Sequence, residues 1–249
     1  DGGSPIIGYD VVVAPGGRAV SGSTSPIHVD GLSRGSEYRF TVSARNAAGT
    51  SVASASSDPV STLAEQWVQF TQPHAQDIGT SLQLDAASSA GLPITYASST
   101  PQVCSVDGEG RVTSHSIGTC TIAASQPGDA SHEAAQSVAR SFLILAVAPG
   151  RPSIESVVMV TGDTAEAIIL APAANGGSPI TEYEMTAQPS GLQVRGSGSP
   201  LRLSGLPAGE PQVLTVVAIN AEGKRSVASM PSLAVTAASL ATIREVIGP

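Results

Sequence analysis

The sequence predicts an all-β protein, several small β-sandwiches in tandem, and three observations carry that prediction. Hydrophobic residues make up 41% of the 249 positions but aromatic residues only 3%, so Ala, Val, Ile and Leu have to supply the cores. The chain holds 26 Gly and 18 Pro, the punctuation of short strands and turns rather than of long helices. Finally, the opening DGGSPIIGYDVVV returns as NGGSPITEYEMTA, 174 positions later.

The repeat extends well past that phrase. Tyr9 falls on Tyr183, Leu32 on Leu206, Gly35 on Gly209, Asn46 on Asn220 and Gly49 on Gly223. One extra residue then moves the offset to 175, and Ser51-Val52-Ala53-Ser54 matches Ser226-Val227-Ala228-Ser229. Two copies of one structural unit explain so long a match. Within the first copy, Glu37 to Ala44 places Tyr38, Phe40, Val42 and Ala44 on one face, the period-2 pattern of a half-buried strand. Leu214, Val216 and Ala218 occupy that face in the second copy.

Both copies resemble fibronectin type III domains. Gly-Gly-Ser-Pro-Ile ahead of Tyr9 and of Tyr183 resembles the entry to that family's third strand. Leu32-x-x-Gly35-x-x-Tyr38 resembles its tyrosine corner, in which the phenol bonds back to upstream backbone. The second copy departs twice: Gln212 stands where Tyr38 stands, and Leu170 sits where the family carries a core Trp. A less aromatic core with unchanged topology is expected there.

Between the copies lies a different all-β segment, expected at residues 65–148. It opens Gln66-Trp67-Val68-Gln69-Phe70 and closes Ser141-Phe142-Leu143-Ile144-Leu145. Gly91-Leu92-Pro93-Ile94-Thr95-Tyr96, Val103-Cys104-Ser105-Val106, and Gly118-Thr119-Cys120-Thr121-Ile122 lie within it. This stretch resembles the bacterial immunoglobulin-like repeats of large surface proteins. The expected layout is thus residues 1–64, 65–148 and 149–238 as three immunoglobulin-like β-sandwiches in tandem, with 239–249 a linker or the first strand of a further domain. Cys104 and Cys120 are the only cysteines, and the second resemblance implies a bridge between them. Their surroundings read as neighbouring strands, with Asp107-Gly108-Glu109-Gly110 turning the chain back. The competing reading is two buried free thiols; the bridge places the chain in an oxidising compartment.

Residues suited to chemistry do not converge. His28, His74, His115 and His132 each stand alone in Ser/Thr/Gly/Pro-rich sequence, His28 on an expected strand, with no nucleophile and carboxylate to form a triad. No GxSxG, HExxH or P-loop spacing occurs, so no catalytic residue and no cofactor is expected. Asp107, Glu109 and Asp129 could offer oxygens to Ca²⁺, but the ion wants six to eight ligands and turn conformation accounts for these acids. Trp67 could stack a sugar. Core packing in strand-like segments is the simpler expectation for it and for Tyr9, Tyr38, Phe40, Phe70, Tyr96, Phe142 and Tyr183, which disfavours carbohydrate as a partner. The formal charge of −8, with only 12 Lys and Arg, argues against nucleic acid and anionic lipid. No apolar run reaches the roughly 18 residues that would span a bilayer.

The two resemblances imply a non-catalytic structural or adhesive segment of a bacterial surface or secreted protein, acting as stalk, spacer or filament-forming array. Its partners would be proteins, as neighbouring domains or subunits joined head to tail. An accessory region of a large secreted enzyme such as a glycoside hydrolase, and a phage virion or tail component, stay open as alternatives. The second copy's Ser153-Ile154-Glu155-Ser156-Val157-Val158 and Ala165-Glu166-Ala167-Ile168-Ile169-Leu170 read as first and second strands that the first copy lacks. Ala241-Thr242-Ile243-Arg244-Glu245-Val246-Ile247 resembles the former. Two expectations compete: a window on a longer array, or strands supplied by a neighbouring subunit.

Overall fold

The computed structural model describes residues 1–238, and every named element among them is a strand. The chain folds as two compact units. One takes Asp1–Thr71, Asp85–Ala97 and Ala123–Arg140; the other takes Gln72–Leu84, Ser98–Ile122 and the chain from Ser141 on. Both units draw on the stretch expected at 65–148. The tail reading at 241–247 lies outside the described residues.

The first copy is one antiparallel sheet around β1 (Ile6–Ala14), which pairs with β2 (Arg18–Gly22) on one side and β3 (Glu37–Asn46) on the other. β4 (Gly49–Thr50) and β5 (Val60–Ser61) both pair with β3. Gly16 and Gly17 turn the β1–β2 hairpin at φ 101° and 64°, angles that a side chain resists. Val11 and Val13 alternate inward as the period-2 pattern requires. The Ile27–Val29 stretch, counterpart of a strand in the second copy, is in no strand. His28, expected on a strand, is therefore on an irregular segment: it has no sheet neighbour there to complete a ladder.

In the middle segment, β6 (Val68–Phe70) pairs with β9 (Ala86–Ser88). β7 (Gln76–Asp77), β10 (Thr95–Ser98), β13 (Gly118–Gln126) and β14 (Ala135–Leu145) make a sheet ordered β10-β13-β14-β7, and β8 (Ser81–Gln83), β11 (Cys104–Val106) and β12 (Arg111–Ser114) one ordered β11-β12-β8. Cys120, Ile122, Ala124 and Gln126 alternate inward along β13.

The second copy closes into a full sandwich. β15 (Ser153–Met159), β16 (Ala165–Leu170) and β19 (Leu201–Leu203) form one sheet; β17 (Ile180–Gln188), β18 (Gln193–Gly196), β20 (Pro211–Asn220) and β21 (Val235–Thr236) form the other. Ala165, Ala167 and Ile169 from the first sheet meet Tyr183, Met185, Ala187, Leu214, Val216 and Ala218 from the second in one buried cluster. Inward alternation falls on Ile169, so Leu170 points outward at 47% exposure. The core position assigned to Leu170 belongs to its neighbour, because a one-residue shift along a strand exchanges faces. The repeat is reproduced down to its irregularities: the β1–β3 ladder slips between Ile6 and Gly8, and the β17–β20 ladder between the equivalent Ile180 and Glu182.

Candidate functional site: the junctions between segments

Cys104 and Cys120 are joined, with Cα atoms 5.7 Å apart and both side chains fully buried. The strands they occupy are not hairpin neighbours. Asp107–Gly110 folds β11 back on β12, where Cys104 faces Ser114, while Cys120 sits on β13 in the other sheet. The bridge therefore staples two sheets together. Closing a loop of this length stabilises by about 3 kcal/mol in the chain-entropy model.

Tyr38 behaves as a corner. Its buried ring lies on β3 and its hydroxyl accepts the Ser33 amide at 2.8 Å. Hydrogen bonding from Ser33 holds the phenol below the ordinary tyrosine pKa. Leu32 is half-buried, and Gly35 adopts φ 64° where an added Cβ would press on the Ala64 side chain. In the second copy Ser33 is replaced by Pro207, which has no amide to give. A phenol at 212 would have no donor there. Gln212 is fully buried instead and accepts the Ser190 amide at 3.0 Å. Tyr9 is half-buried and Tyr183 buried, and burial raises the Tyr183 pKa.

The remaining candidates are dispersed. Asp107 Oδ1 accepts the amides of Glu109 and Arg111, and Asp129 Oδ1 those of Ser131 and His132, so both carboxylates serve their own turns. The Asp129 pKa is lowered, first by the Ser131 amide. His115 meets Ser105, His132 meets Asp129, and His28 and His74 are exposed. Trp67, expected in a core, is 66% exposed: it precedes β6, where the inward positions go to Val68 and Phe70.

Sequence reasoning missed a serine ladder. Ser51, Ser54 and Ser57 follow one another along β3. Their amides donate to Ala44, Val42 and Phe40 carbonyls, and their hydroxyl oxygens accept the amides of the same three residues at 2.9–3.0 Å. Ser226, Ser229 and Ser232 do the same for Ala218, Val216 and Leu214 on β20. A three-residue serine period thus caps a two-residue strand period and satisfies an edge that would otherwise stay open. The Ser-x-x-Ser-x-x-Ser spacing in both copies was the available signal.

What the chain builds most deliberately is the contact between successive segments. At the first junction, Ala64 donates to Ser131 O at 2.7 Å and accepts from Glu133 N at 2.9 Å. Arg34 reaches Glu133 at 2.5 Å and Glu65 at 3.2 Å. Beneath them Gln66 bonds Gln126, Ser88 and Glu133 O. At the second junction, Val147 N donates to Gly176 O at 3.0 Å, Asn220 Nδ2 donates to Val147 O at 3.2 Å, and Gly150 N donates to Ala174 O at 2.8 Å. A Cβ on Gly176 would collide with Val147 O, and one on Gly177 would lie 2.9 Å from Ile78 and 3.1 Å from Ile117. The first junction is charged and the second is backbone and apolar.

Residues 1–61 match the family model of the fibronectin type III domain. Residues 80–128 match that of the intimin immunoglobulin-like domain. Those two segments are thus similar to the two families. Curated proteins yield no match. Among solved structures, titin domains A168–A170 align over 92% of this chain and 88% of that one at 16% identity and a TM-score of 0.39. Chicken CNTN1 domains FN1–FN3 align over 93% and 89% at 13% identity and 0.35. Titin module A71 from human cardiac muscle aligns over 38% and 94% at 27% identity and 0.31. Fibronectin type III and immunoglobulin-like domains are as a rule non-catalytic structural or adhesive modules, typical of extracellular or surface proteins, and fold alone names no ligand. Among the described residues no helix is long and apolar enough to cross a membrane, and no cluster of three His, Cys, Asp or Glu could hold a metal.

Proposed function

We propose that this chain is a spacer from a bacterial surface or secreted protein, an array of three β domains at about residues 1–64, 65–148 and 149–238. Its task is mechanical: to hold whatever it links at a set separation and to pass tension from domain to domain. The observation that carries this reading is that both junctions are closed by hydrogen bonds from one segment to the next. A flexible linker would leave those backbone groups to water. The interlocked glycines of the second junction and the polar network around Gln66 at the first restrict hinge motion further. A buried disulfide suits an oxidising compartment, and an acidic, sparsely charged surface suits solubility there. The partners would be proteins, as neighbouring domains or subunits.

The test is made on intact cells of the source organism. Antibody against this chain should label unpermeabilised cells or the medium, and the protein extracted under alkylating conditions should show no free thiol. Material confined to the cytoplasm with both thiols free overturns the reading.

A further inference from the structure

The first copy carries, at its Gly2–Asn46 pole, the same parts that the second copy uses to take the chain arriving from the middle segment. Gly2 and Gly3 have φ values of 67° and 84°, and Gly176 and Gly177 have 73° and 86°. The Gly3 amide donates to the Asp1 carboxylate at 3.0 Å, and the Gly177 amide to the Asn175 side-chain oxygen at 2.9 Å. Asn46 Nδ2 donates to Asp1 O at 2.6 Å, and Asn220 Nδ2 to Asn175 O at 3.2 Å. The conformation is therefore set by the repeat itself and does not need a neighbour to induce it.

The poles differ in what fills them. Asn220 gives its other amide contact to Val147 O, and Val147 N returns a bond to Gly176 O, so one residue of the segment arriving after β14 is held at both ends. Asn46 turns the corresponding contact inward to Ser4 O at 3.2 Å. Gly176, Ser178 and Asn220 are buried, whereas Gly2 is exposed and Ser4 and Asn46 are only half-buried. A cleft of about 390 Å³ opens among Asp1, Gly2, Ile6, Asn46 and Thr50. Where Gly177 meets Ile78 and Ile117, Gly3 meets nothing within 4 Å.

We propose that this pole is a docking socket for the extended segment that leaves the last strand of an immunoglobulin-like domain of the 65–148 kind, as Val147 follows β14. One residue of that segment would donate its amide to Gly2 O and accept from Asn46 Nδ2, as Val147 does between Gly176 and Asn220. Branched apolar side chains of the same domain would lie against Gly3. The proposal rests on the array reading and adds the partner and its mode of contact. Pairing through backbone requires no particular side chain on the segment, while the two glycines exclude any partner that cannot approach their bare backbone closely.

The chain itself contains a suitable occupant. Residues 65–174 joined directly ahead of Asp1 in the full chain bring Ala174 to the first copy as it stands before Asn175. Hydrogen exchange is then read at the added Val147 amide. Protection by at least about tenfold over an unstructured linker is expected. Asn46→Asp keeps the oxygen that accepts the Ala48 and Gly49 amides at 2.9 and 3.1 Å and replaces the donor to Asp1 O and Ser4 O by a carboxylate oxygen, so it should lower that protection by about fivefold. Asn220→Asp serves as the control at the native junction. An added Val147 that is unprotected or indifferent to Asn46→Asp, while Asn220→Asp loosens the native junction, overturns the socket and leaves the array reading intact. Indifference at both asparagines overturns the clamp and removes the array's main support. An independent measurement avoids the extension: a peptide of residues 141–150 is titrated into the 249-residue chain while the Asn46 side-chain amide is followed by NMR. A saturable shift supports the socket. No shift at about 5 mM, near the effective concentration of a tethered strand, overturns it.

Discussion

The two copies of the repeat share a ladder slip, a glycine turn and a serine ladder, yet they differ in how well they bury the same face. Val216 on β20 is fully buried, and its counterpart Val42 on β3 is 39% exposed. Leu214 and Ala218 are fully buried, while Phe40 and Ala44 are only half-buried. The difference lies in β15 and β16, whose Ala165, Ala167 and Ile169 cover that face in the second copy. In the first, a cleft of about 620 Å³ lined by Tyr9, Val11, Ile27, Leu32, Phe40 and Val42 lies over it. Identical local patterning thus sets strands, turns and register, and only the opposing sheet converts them into a core.

The largest effect that separates the copies should come from large-to-small substitutions on this face. Met185→Ala, at a fully buried position, should cost about 3 kcal/mol, since it loses both transfer free energy and packing. Val42→Ala should cost less than about 1 kcal/mol, because much of its surface is already in water. Native-state hydrogen exchange resolved by peptide can read both in one chain; equal losses would mean that the first copy's face is covered in solution.

The corners come next. Gln212→Ala leaves the Ser190 amide without its acceptor inside the sandwich and should cost about 2 kcal/mol; Tyr38→Phe removes one acceptor near solvent and should cost about 1 kcal/mol. Restoring the pair in the second copy needs both changes, Pro207→Ser with Gln212→Tyr. Gln212→Tyr alone should be worse than Gln212→Ala, because it would bury a hydroxyl with no donor facing it. Denaturant midpoints for the four variants check that order.

Much of this was legible in the residues, and the exceptions have physical reasons. The repeat, the alternation of Tyr38, Phe40, Val42 and Ala44, and the all-β class follow from periodicity, which is local. The partner strands of the cysteines did not follow. The Asp107–Gly110 turn announces a hairpin, but nothing local says that Cys120 enters the opposite sheet. Leu170 and Trp67 were misplaced for a related cause. At a strand end one residue decides which face a side chain takes, and that depends on where the ladder starts. The coupling of Ser33 to Tyr38 and of Pro207 to Gln212 was present in the sequence, and became readable once the donor was known to be the amide two positions before Gly35.

The serine ladder should give a smaller contrast. Ser229→Ala deprives the Val216 amide of its acceptor at a buried position, for about 1.5 kcal/mol; Ser54→Ala exposes the Val42 amide to water, for about 0.5 kcal/mol. Exchange of those two amides is the direct measurement. A similar acceleration at both would show that the second copy's edge is as wet as the first's.

The smallest contrast is electrostatic and depends on pH. Glu184 on β17 is buried against Arg225 and Arg195, with Arg195 Nε 2.8 Å from Oε2. Hydrogen bonding from Arg225, with a further contribution from Arg195, holds its carboxyl below the ordinary glutamate value of 4.5. A depressed carboxylate pKa stabilises the fold above the unfolded-state value, and that stabilisation fades as pH falls through it towards the folded value. The second copy should therefore lose stability as the pH drops below about 4.5. The loss should stay under about 1 kcal/mol, because both guanidinium groups are roughly half exposed and screened by water. Glu184→Gln should flatten this acid limb and leave stability at pH 3 nearly unchanged, while lowering it at neutral pH. The first copy carries Asp10 at the equivalent position, with its Arg45 partner at 3.6 Å. An acid limb that survives Glu184→Gln would place its origin outside this ion pair and overturn the assignment.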